Sequence, residues 1–529
     1  MLSPATLLRF WRTLRHLKWR QVFWRLRHWA RRKLPPLRPR GRVAYVVRTA
    51  GGVRLRAPSL PSDSSAALDG AVSMLNLSHR FEGEIDWGYS GLGGLWAYNL
   101  NFFDFLAHPG MPVGHGTRLI RAFAANATLG SAAYDSHPLS VRAINWIKFL
   151  LANGVRDAEA DRSLSRQLDV LRHNPEHHLL GNHLLENAFG LYFGALYFDD
   201  AALLRAAAAI LRPELEEQFL PDGAHFELSP MYHQVMLFRL LDCLNLVPGG
   251  SCRDAGLCAL FEAKAAAALG WLDAVTFANG ETPMVNDTAY GVAPSTAALK
   301  SYAAALGVRP VSVPLGASGY RMFRRPGYEL FVDVGDIGPD YIPGHAHSDT
   351  FSFVLHVGGR PVVVDTGTST YEKNQRRQAE RSTAAHNTAQ LDAFEQSEVW
   401  GGFRVARRAK VFGLEERGGF VQARHDGYAR FGVSPRRAFE IEDGAVAITD
   451  QMDGAAPAAA TAYFHFHPDV VPELVGPELR HALFTLSVPT EVSPRLFEYD
   501  CADGFNRTRR AVALAVPFQN QLTTTITLR

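Results

Sequence analysis

A chain of 529 residues, 47% of them hydrophobic and 20% charged, has the composition of folded globular material and the length for more than one core. The formal net charge of +3 conceals an asymmetry: residues 1 to 42 hold 13 Lys and Arg and no acid, which leaves 42 basic against 52 acidic side chains in the remainder. An acidic body without a second basic stripe, a zinc-finger signature or an RNA-binding signature excludes nucleic acid as the expected partner.

The first element is a basic arm, placed at residues 1–60. Its stretch "LLRFWRTLRHLKWRQVFWRLRHWARRKL" interleaves Leu, Phe and Trp with Arg and Lys at helical spacing. Such a helix lies on anionic lipid, on a partner such as polysaccharide-biosynthesis machinery, or against its own domain with its arginines solvated. No uninterrupted apolar segment follows the charges, so a secretory signal is not expected. Nor is a run of about 18 apolar residues that could span a bilayer. A cytoplasmic or peripheral-membrane location is therefore favoured over the periplasm. Four cysteines, Cys243, Cys252, Cys258 and Cys501, form no CxxC pair and are expected to be free.

From about Leu95 to Gly307 apolar residues recur at three and four, as in "LSVRAINWIKFLLANG" and "AALLRAAAAILRPELEEQF", which predicts helix after helix. Helices on short connectors pack as antiparallel pairs, closing into a toroid or stacking into a solenoid. From about Ser318 the period becomes two, in "YELFVDVG", "FSFVLHVGGRPVVVDTG" and "RRAFEIEDGAVAITD", which predicts an antiparallel β-sandwich. An α+β chain follows, with a helical domain at 61–312 and a β domain at 313–529, joined through the Pro/Gly-rich stretch 307–319.

Three polar clusters interrupt these patterns. In "LLGNHLLENAFGLYF", Asn182, His183, Glu186 and Asn187 sit in an otherwise apolar helix, with His183 and Glu186 on one face. Buried polar groups need partners, so four in six residues point to a site. In "PDGAHFELSPMYHQVM", His225, Glu227, Tyr232 and His233 lie at a helix start, where free amides receive anions; capping by Glu227 and Ser229 accounts for those two alone. In the third, His345, His347, Asp365 and His386 come from separate β segments. His347, Asp365 and His386 form a nitrogen and oxygen ligand set that suits zinc, although inter-strand ion pairs use the same residue types. His465 and His467, on one strand face, are expected to be structural. The stretch "DWGYSGLGGLWAYNLNFFDF" offers Trp87, Trp96 and Tyr98 either for sugar stacking or as core aromatics.

In chain order, "GNHLLENAFGL", "DGAHFELSPMYH", "GHAHSDTFSFVL", "VVVDTGTSTY" and "RSTAAHNTAQLD" resemble the heparinase II/III-like family of polysaccharide lyases, over roughly residues 90 to 420. The resemblance implies an incomplete (α/α) toroid followed by an antiparallel β-sandwich, and narrows the choice above to the toroid. It also implies a lyase that cuts a uronic-acid-containing acidic polysaccharide by β-elimination. Carried over residue by residue, Asn182 and His183 would contact the uronate carboxylate, Tyr232 would act as base and/or acid, and His345 would share proton transfer. Glu186 and, more loosely, Tyr371 match cleft residues that bind substrate. His347, Asp365 and His386 match the metal-ligand pattern, with zinc at the domain junction. The basic arm suggests attachment to exopolysaccharide or surface-glycan production. Two rivals stand beside the lyase: a glycoside hydrolase on the same scaffold, drawing on Glu186, Glu227 or Asp349, and a non-catalytic glycan-binding or assembly protein.

Overall fold

The computed structural model describes residues 3–33, 48–127, 132–454 and 458–529. Residues 34–47 of the expected arm lie outside that set. The described part of the arm forms two helices, α1 (Pro4–Leu14) and α2 (Trp19–Lys33). Helix α1 begins where the Ser3 hydroxyl accepts from the Thr6 amide and Pro4 fills the first turn, a position that needs no N–H. After the arm the helical pattern does not begin at once. A three-stranded antiparallel sheet, Ser65–Ala66, Ala71–Met74 and Leu77–Arg80, occupies the start of the expected helical domain, because its four-residue alternations are too short for a periodicity reading to separate from loop.

Among the described residues nine helices follow: α3 (Gly94–Phe102), α4 (Val113–Asn126), α5 (Ser136–Ala152), α6 (Ala158–His173), α7 (Gly181–Tyr197), α8 (Ala201–Gln218), α9 (Pro230–Asn245), α10 (Ala255–Val275) and α11 (Thr296–Leu306). Asp157, Asp200, Ser229, Asp254 and Ser295 each accept from a first-turn amide of α6, α8, α9, α10 and α11 respectively. Orphan donors are thus satisfied at the connectors themselves, and short turns suffice. Helix α7 packs on α5, α6, α8 and α9 and is buried along nearly its whole length, which is why it reads as apolar all round. Helix α10 has the length and composition to cross a membrane, contrary to the sequence expectation. Its Leu257, Phe261, Leu269 and Leu272 are buried in the helical core, and its alanines, which supply the low polarity, allow close packing.

Past Tyr320 every ladder between the long strands is antiparallel. One four-stranded sheet comprises Tyr320–Arg325, Tyr328–Asp333, Phe353–Val357 and Arg360–Val363 in sequence order. A second runs Ala389–Leu391, Ala459–His465, Thr508–Gln519, Arg495–Ala502, and an eight-stranded sheet runs from Val411–Arg417 to Glu473–Val475. Phe353 from the first sheet meets Phe439 of the large sheet at 5.8 Å and Phe464 of the second at 6.1 Å between ring centroids, so one core joins all three. The helical and sheet regions are fastened by a separate apolar cluster, Trp271, Val275, Phe277, Tyr320, Phe331 and Val354. There the Tyr320 hydroxyl donates to the Leu228 carbonyl at 2.6 Å. His465 is buried, its amide donating to Asn387 Oδ1 at 2.7 Å. The four cysteines are unpaired.

Candidate active site

The junction leaves a cleft of about 1800 Å³ between the helical and sheet regions. Its helical wall begins at the N-terminus of α7, which has no side-chain cap of its own. Glu227, from the loop before α9, supplies one: Oε1 accepts from the Asn182 amide at 2.9 Å, and Oε2 accepts from Asn182 Nδ2 at 2.7 Å. Glu227 therefore caps α7 in trans, whereas Ser229 alone caps α9. Only glycine fits at position 181. Its φ is +61°, and a Cβ there would lie 2.3 Å from Glu227 Oε1. The contact fixes Asn182 so that Nδ2 also lies 3.4 Å from His345 Nε2, across the cleft.

His183, one residue on, sends Nδ1 to Glu176 at 3.2 Å and lies against His137, with ring centroids 4.3 Å apart and the planes tilted. Burial disfavours the charged ring, but the Glu176 carboxylate outweighs it and raises the His183 pKa. Burial would likewise raise Glu176; His183 overrides that and holds the carboxyl at about 2. Burial, with the His183 charge beside it, lowers His137 to about 3. One ligand atom from each of His137, Glu176 and His183 lies within 4.8 Å of the others, an arrangement that could hold a metal ion.

Tyr232, in the first turn of α9, lines the cleft. Its ring lies against that of His345 at 3.9 Å, and its hydroxyl is 3.2 Å from that of Tyr371. Burial raises the pKa of both phenols above the usual tyrosine range. Opposite them, the sheet wall consists of loops held on one carboxylate, Asp287. His345 Nδ1 approaches Asp287 Oδ2 at 2.9 Å, and His347 Nε2 approaches Oδ1 at 2.9 Å. Arg377, from the short helix α12 (Gln375–Glu380), adds a bidentate pair. Asp287 is wholly buried; burial would raise its pKa, but Arg377 and then the two imidazole hydrogen bonds outweigh it and hold the carboxyl well below the usual range. An ionised Asp287 can only accept, so His345 Nδ1 and His347 Nε2 are the donors to it, and His345 Nε2 faces the cleft, 3.4 Å from Asn182 Nδ2 and 3.7 Å from Glu227 Oε2.

Deeper on this side, His386 Nδ1 meets Asp365 Oδ2 at 2.7 Å, and the His347 and His386 ring centroids are 5.3 Å apart. All three residues are buried. Burial lowers His347 to about 4. For His386, burial acts in the same direction, but Asp365 outweighs it and the pKa rises. Buried His347 Nδ1 and His386 Nε2 have no hydrogen-bond partner among the described residues.

Of the other expected site residues, Glu186 lines the cleft floor in a pair with Arg239, Nε to the two carboxylate oxygens at 2.9 and 3.0 Å. Tyr98 lines the cleft and donates to Asp135 at 2.8 Å. Two expectations are corrected. Trp96 is 1% exposed and packs in the helical core beside His79 and Tyr89, out of reach of a sugar. Asn187 is fully buried and faces away from the cleft, accepting from the Glu176 amide at 2.7 Å and donating to Ser140 and Glu176. It positions Glu176. Trp87 is likewise core, and His225 and His233 are buried, tied to Gln218 and to the Ala268 carbonyl. The residues that sequence reasoning missed are Asp287, Arg377, Glu176, His137 and Arg239. Asp287 in "PMVNDTAYG" reads as turn punctuation and Arg377 in "EKNQRRQAE" as surface charge, so neither carries a local signal.

The model described as Heparinase II/III N-terminus matches residues 136–310, and that described as Heparinase II/III-like, C-terminal, matches residues 308–528. No curated protein matches the sequence. Among solved structures, heparinase III is similar with a TM-score of 0.62 at 16% identity, covering 85% of this chain and 80% of that one. A heparan sulfate lyase mutant from Pedobacter heparinus is similar at 0.58 and 16%, covering 85% and 79%. At such identities the likeness speaks for the fold alone: helices first, in an incomplete (α/α) toroid, then antiparallel sheets. With the two matched segments together spanning residues 136–528, the chain belongs to the heparinase II/III-like family of polysaccharide lyases.

Proposed function

We propose that this protein cleaves a uronic-acid-containing acidic polysaccharide by β-elimination, with Tyr232 and His345 as the proton-transfer pair. The observation that carries the reading is their close, tilted ring contact in the cleft, with His345 Nδ1 committed to a buried, ionised Asp287. A uronate C5 proton is hard to remove because its electrons would flow into a carboxylate that is already charged. Donors aimed at that carboxylate are therefore the first requirement. Asn182 Nδ2 and the His183 ring, kept cationic by Glu176, occupy the wall where it would bind.

His345 Nε2 is suited to take the C5 proton, its ring oriented and its developing charge stabilised through Asp287. The C5 electron pair then forms the C4–C5 double bond as the C4–O bond breaks. Tyr232, kept protonated by burial, gives its proton to the departing oxygen, and Tyr371 orients the phenol. This division gives Tyr232 the acid role and His345 the base role. Glu186 and Tyr98 line the cleft beside this pair.

The hydrolase alternative finds less support. It needs two carboxyl groups free to act on a glycosidic bond, but Glu186 is held by Arg239 and Glu227 by Asn182, while Asp349 is buried. A glycan-binding role without turnover would not need the Asp287 brace behind His345. The basic arm favours a link to exopolysaccharide or surface-glycan production.

His347, Asp365 and His386 are proposed as zinc ligands. The two unpartnered imidazole nitrogens and the neighbouring carboxylate suit that ion, which would brace the junction. Chelation should lower the melting temperature, and a native protein free of metal with an unchanged melting temperature would remove the metal from the proposal.

The deciding experiment is ultraviolet absorbance of the unsaturated product, with wild type and Tyr232→Phe offered polyuronides, glycosaminoglycans and bacterial exopolysaccharides. A rise with wild type alone supports elimination through Tyr232. New reducing ends without a rise would replace it with hydrolysis.

A further inference from the structure

Helices α1 and α2 are docked on the body by one side only. Phe10 meets Trp400 edge to face at 5.0 Å, and Trp400 Nε1 donates to the Thr13 hydroxyl at 3.2 Å. Gln21 is 1% exposed and donates to the Leu179 and Tyr341 carbonyls, and Trp24 stacks on His177 at 4.8 Å. The arm thus bridges sheet-region residues near 400 and helical-region residues near 177, and its helices are held in place.

Another side is apolar and exposed. Leu7 and Trp11 on α1, four apart, and Trp19, Phe23 and Leu26 on α2, at four-then-three spacing, form exposed stripes, and Leu14 carries the first to the rim of the cleft. Trp11, Trp19 and Trp29 are 57%, 74% and 59% exposed. A soluble surface rarely leaves so many large apolar side chains together without a use. A cation borders them, with Arg15 over the Trp11 ring at 5.2 Å. No Asp or Glu precedes Asp63 in the chain.

We propose that α1 and α2 dock the protein on an anionic lipid bilayer. Tryptophan and leucine enter the boundary between headgroups and acyl chains, while Arg15 and Arg27 meet the lipid phosphates; Arg9, Arg12, Lys18 and Arg20 are paired with Glu398, Glu217 and Glu214 of the body. Charge selects this occupant over a second copy of the chain, which would set arginine against arginine with no acid from either arm to relieve it. Because Phe10, Thr13, Leu17, Gln21 and Arg25 also line the cleft, docking holds that end of it beside the headgroups. The inference is independent of what reaction the cleft performs.

The test is flotation of the full chain with vesicles of phosphatidylcholine alone and of phosphatidylcholine mixed with phosphatidylglycerol. Wild type should float with the mixed vesicles and far less with the neutral ones. The triple variant Trp11→Glu/Trp19→Glu/Trp29→Glu should lose roughly tenfold or more of that partitioning with an unchanged melting temperature. Should the glutamate variant melt early, the corresponding Trp→Ser triple variant decides by the same measure. Failure of wild type to float with the mixed vesicles, or equal flotation of wild type and variant, would overturn the proposal. So would a concentration-dependent oligomer of wild type that the variant abolishes, since the stripe would then cover a second copy.

Discussion

The two walls of the cleft are built on different principles. On the helical side, Asn182, His183 and Tyr232 project from first turns of helices whose apolar faces are buried in a continuous core. Losing one such side chain leaves the helix beneath it intact. On the sheet side, His345, His347 and Arg377 sit in loops and a six-residue helix, and they converge on the single carboxylate of Asp287. A wall of that kind stands or falls with its brace, so substitutions on the two sides should separate activity from stability.

The largest effect is expected at the brace. Asp287→Ala leaves the fully buried Arg377 guanidinium without its counter-ion and two imidazoles without their acceptor. Removing one partner of a buried ion pair costs about 3–5 kcal/mol, so calorimetry should show a much lower melting temperature, with activity lost as well. Wild-type stability in this variant would mean that the loops are held by something else. The contrasting substitution is Tyr232→Phe, which removes one hydroxyl from a cleft-lining ring. It should lower kcat by roughly a hundred- to ten-thousand-fold while the melting curve stays in place. A third test crosses the two walls: Glu227→Gln removes the charge at the start of α7 and weakens the hold on Asn182. A loss of about 1 kcal/mol in denaturant unfolding is expected, with a larger proportional loss in turnover because Asn182 turns away from the substrate carboxylate. An unchanged KM and kcat would free Asn182 from its assigned role.

The same contrast explains what the sequence made legible. Helices and strands declare themselves by period, and the change from three-and-four to two near residue 318 placed the architecture without any knowledge of contacts. Asn182, His183 and Tyr232 stood out because they interrupt or open apolar helices, where a polar residue needs a reason. Asp287 had no such background. It lies in a loop where Asn and Asp are ordinary, and its importance comes from partners at positions 345, 347 and 377, brought to it by the fold alone. Trp96 and Asn187 mark the converse error. Both lie near cleft residues in sequence, yet each points into the protein, because neighbours along a helix face different directions and periodicity does not tell a core face from a cleft face when the helix is buried on both.

The smallest expected effect bears on the helical wall alone. Glu176 reaches His183 and Asn187 but does not itself line the cleft. Its carboxylate raises the His183 pKa above the ordinary 6.5, so the imidazolium persists as the pH rises past that value and is lost only on passing the raised one. The stabilisation that the pair lends the fold follows the same signs: present below 6.5 on the histidine side and lost above its raised pKa, present above 4.5 on the glutamate side and lost as the pH falls toward about 2. In Glu176→Gln, only the weaker pull of Glu227 and Glu186 opposes burial at His183, and the ring gives up its proton earlier. The alkaline limb of kcat/KM should then move to lower pH, with turnover at the acidic end of the profile little altered. A merely structural Glu176 would lower the whole profile without moving its limb, and His183 would then be removed as a cationic contact for the uronate carboxylate.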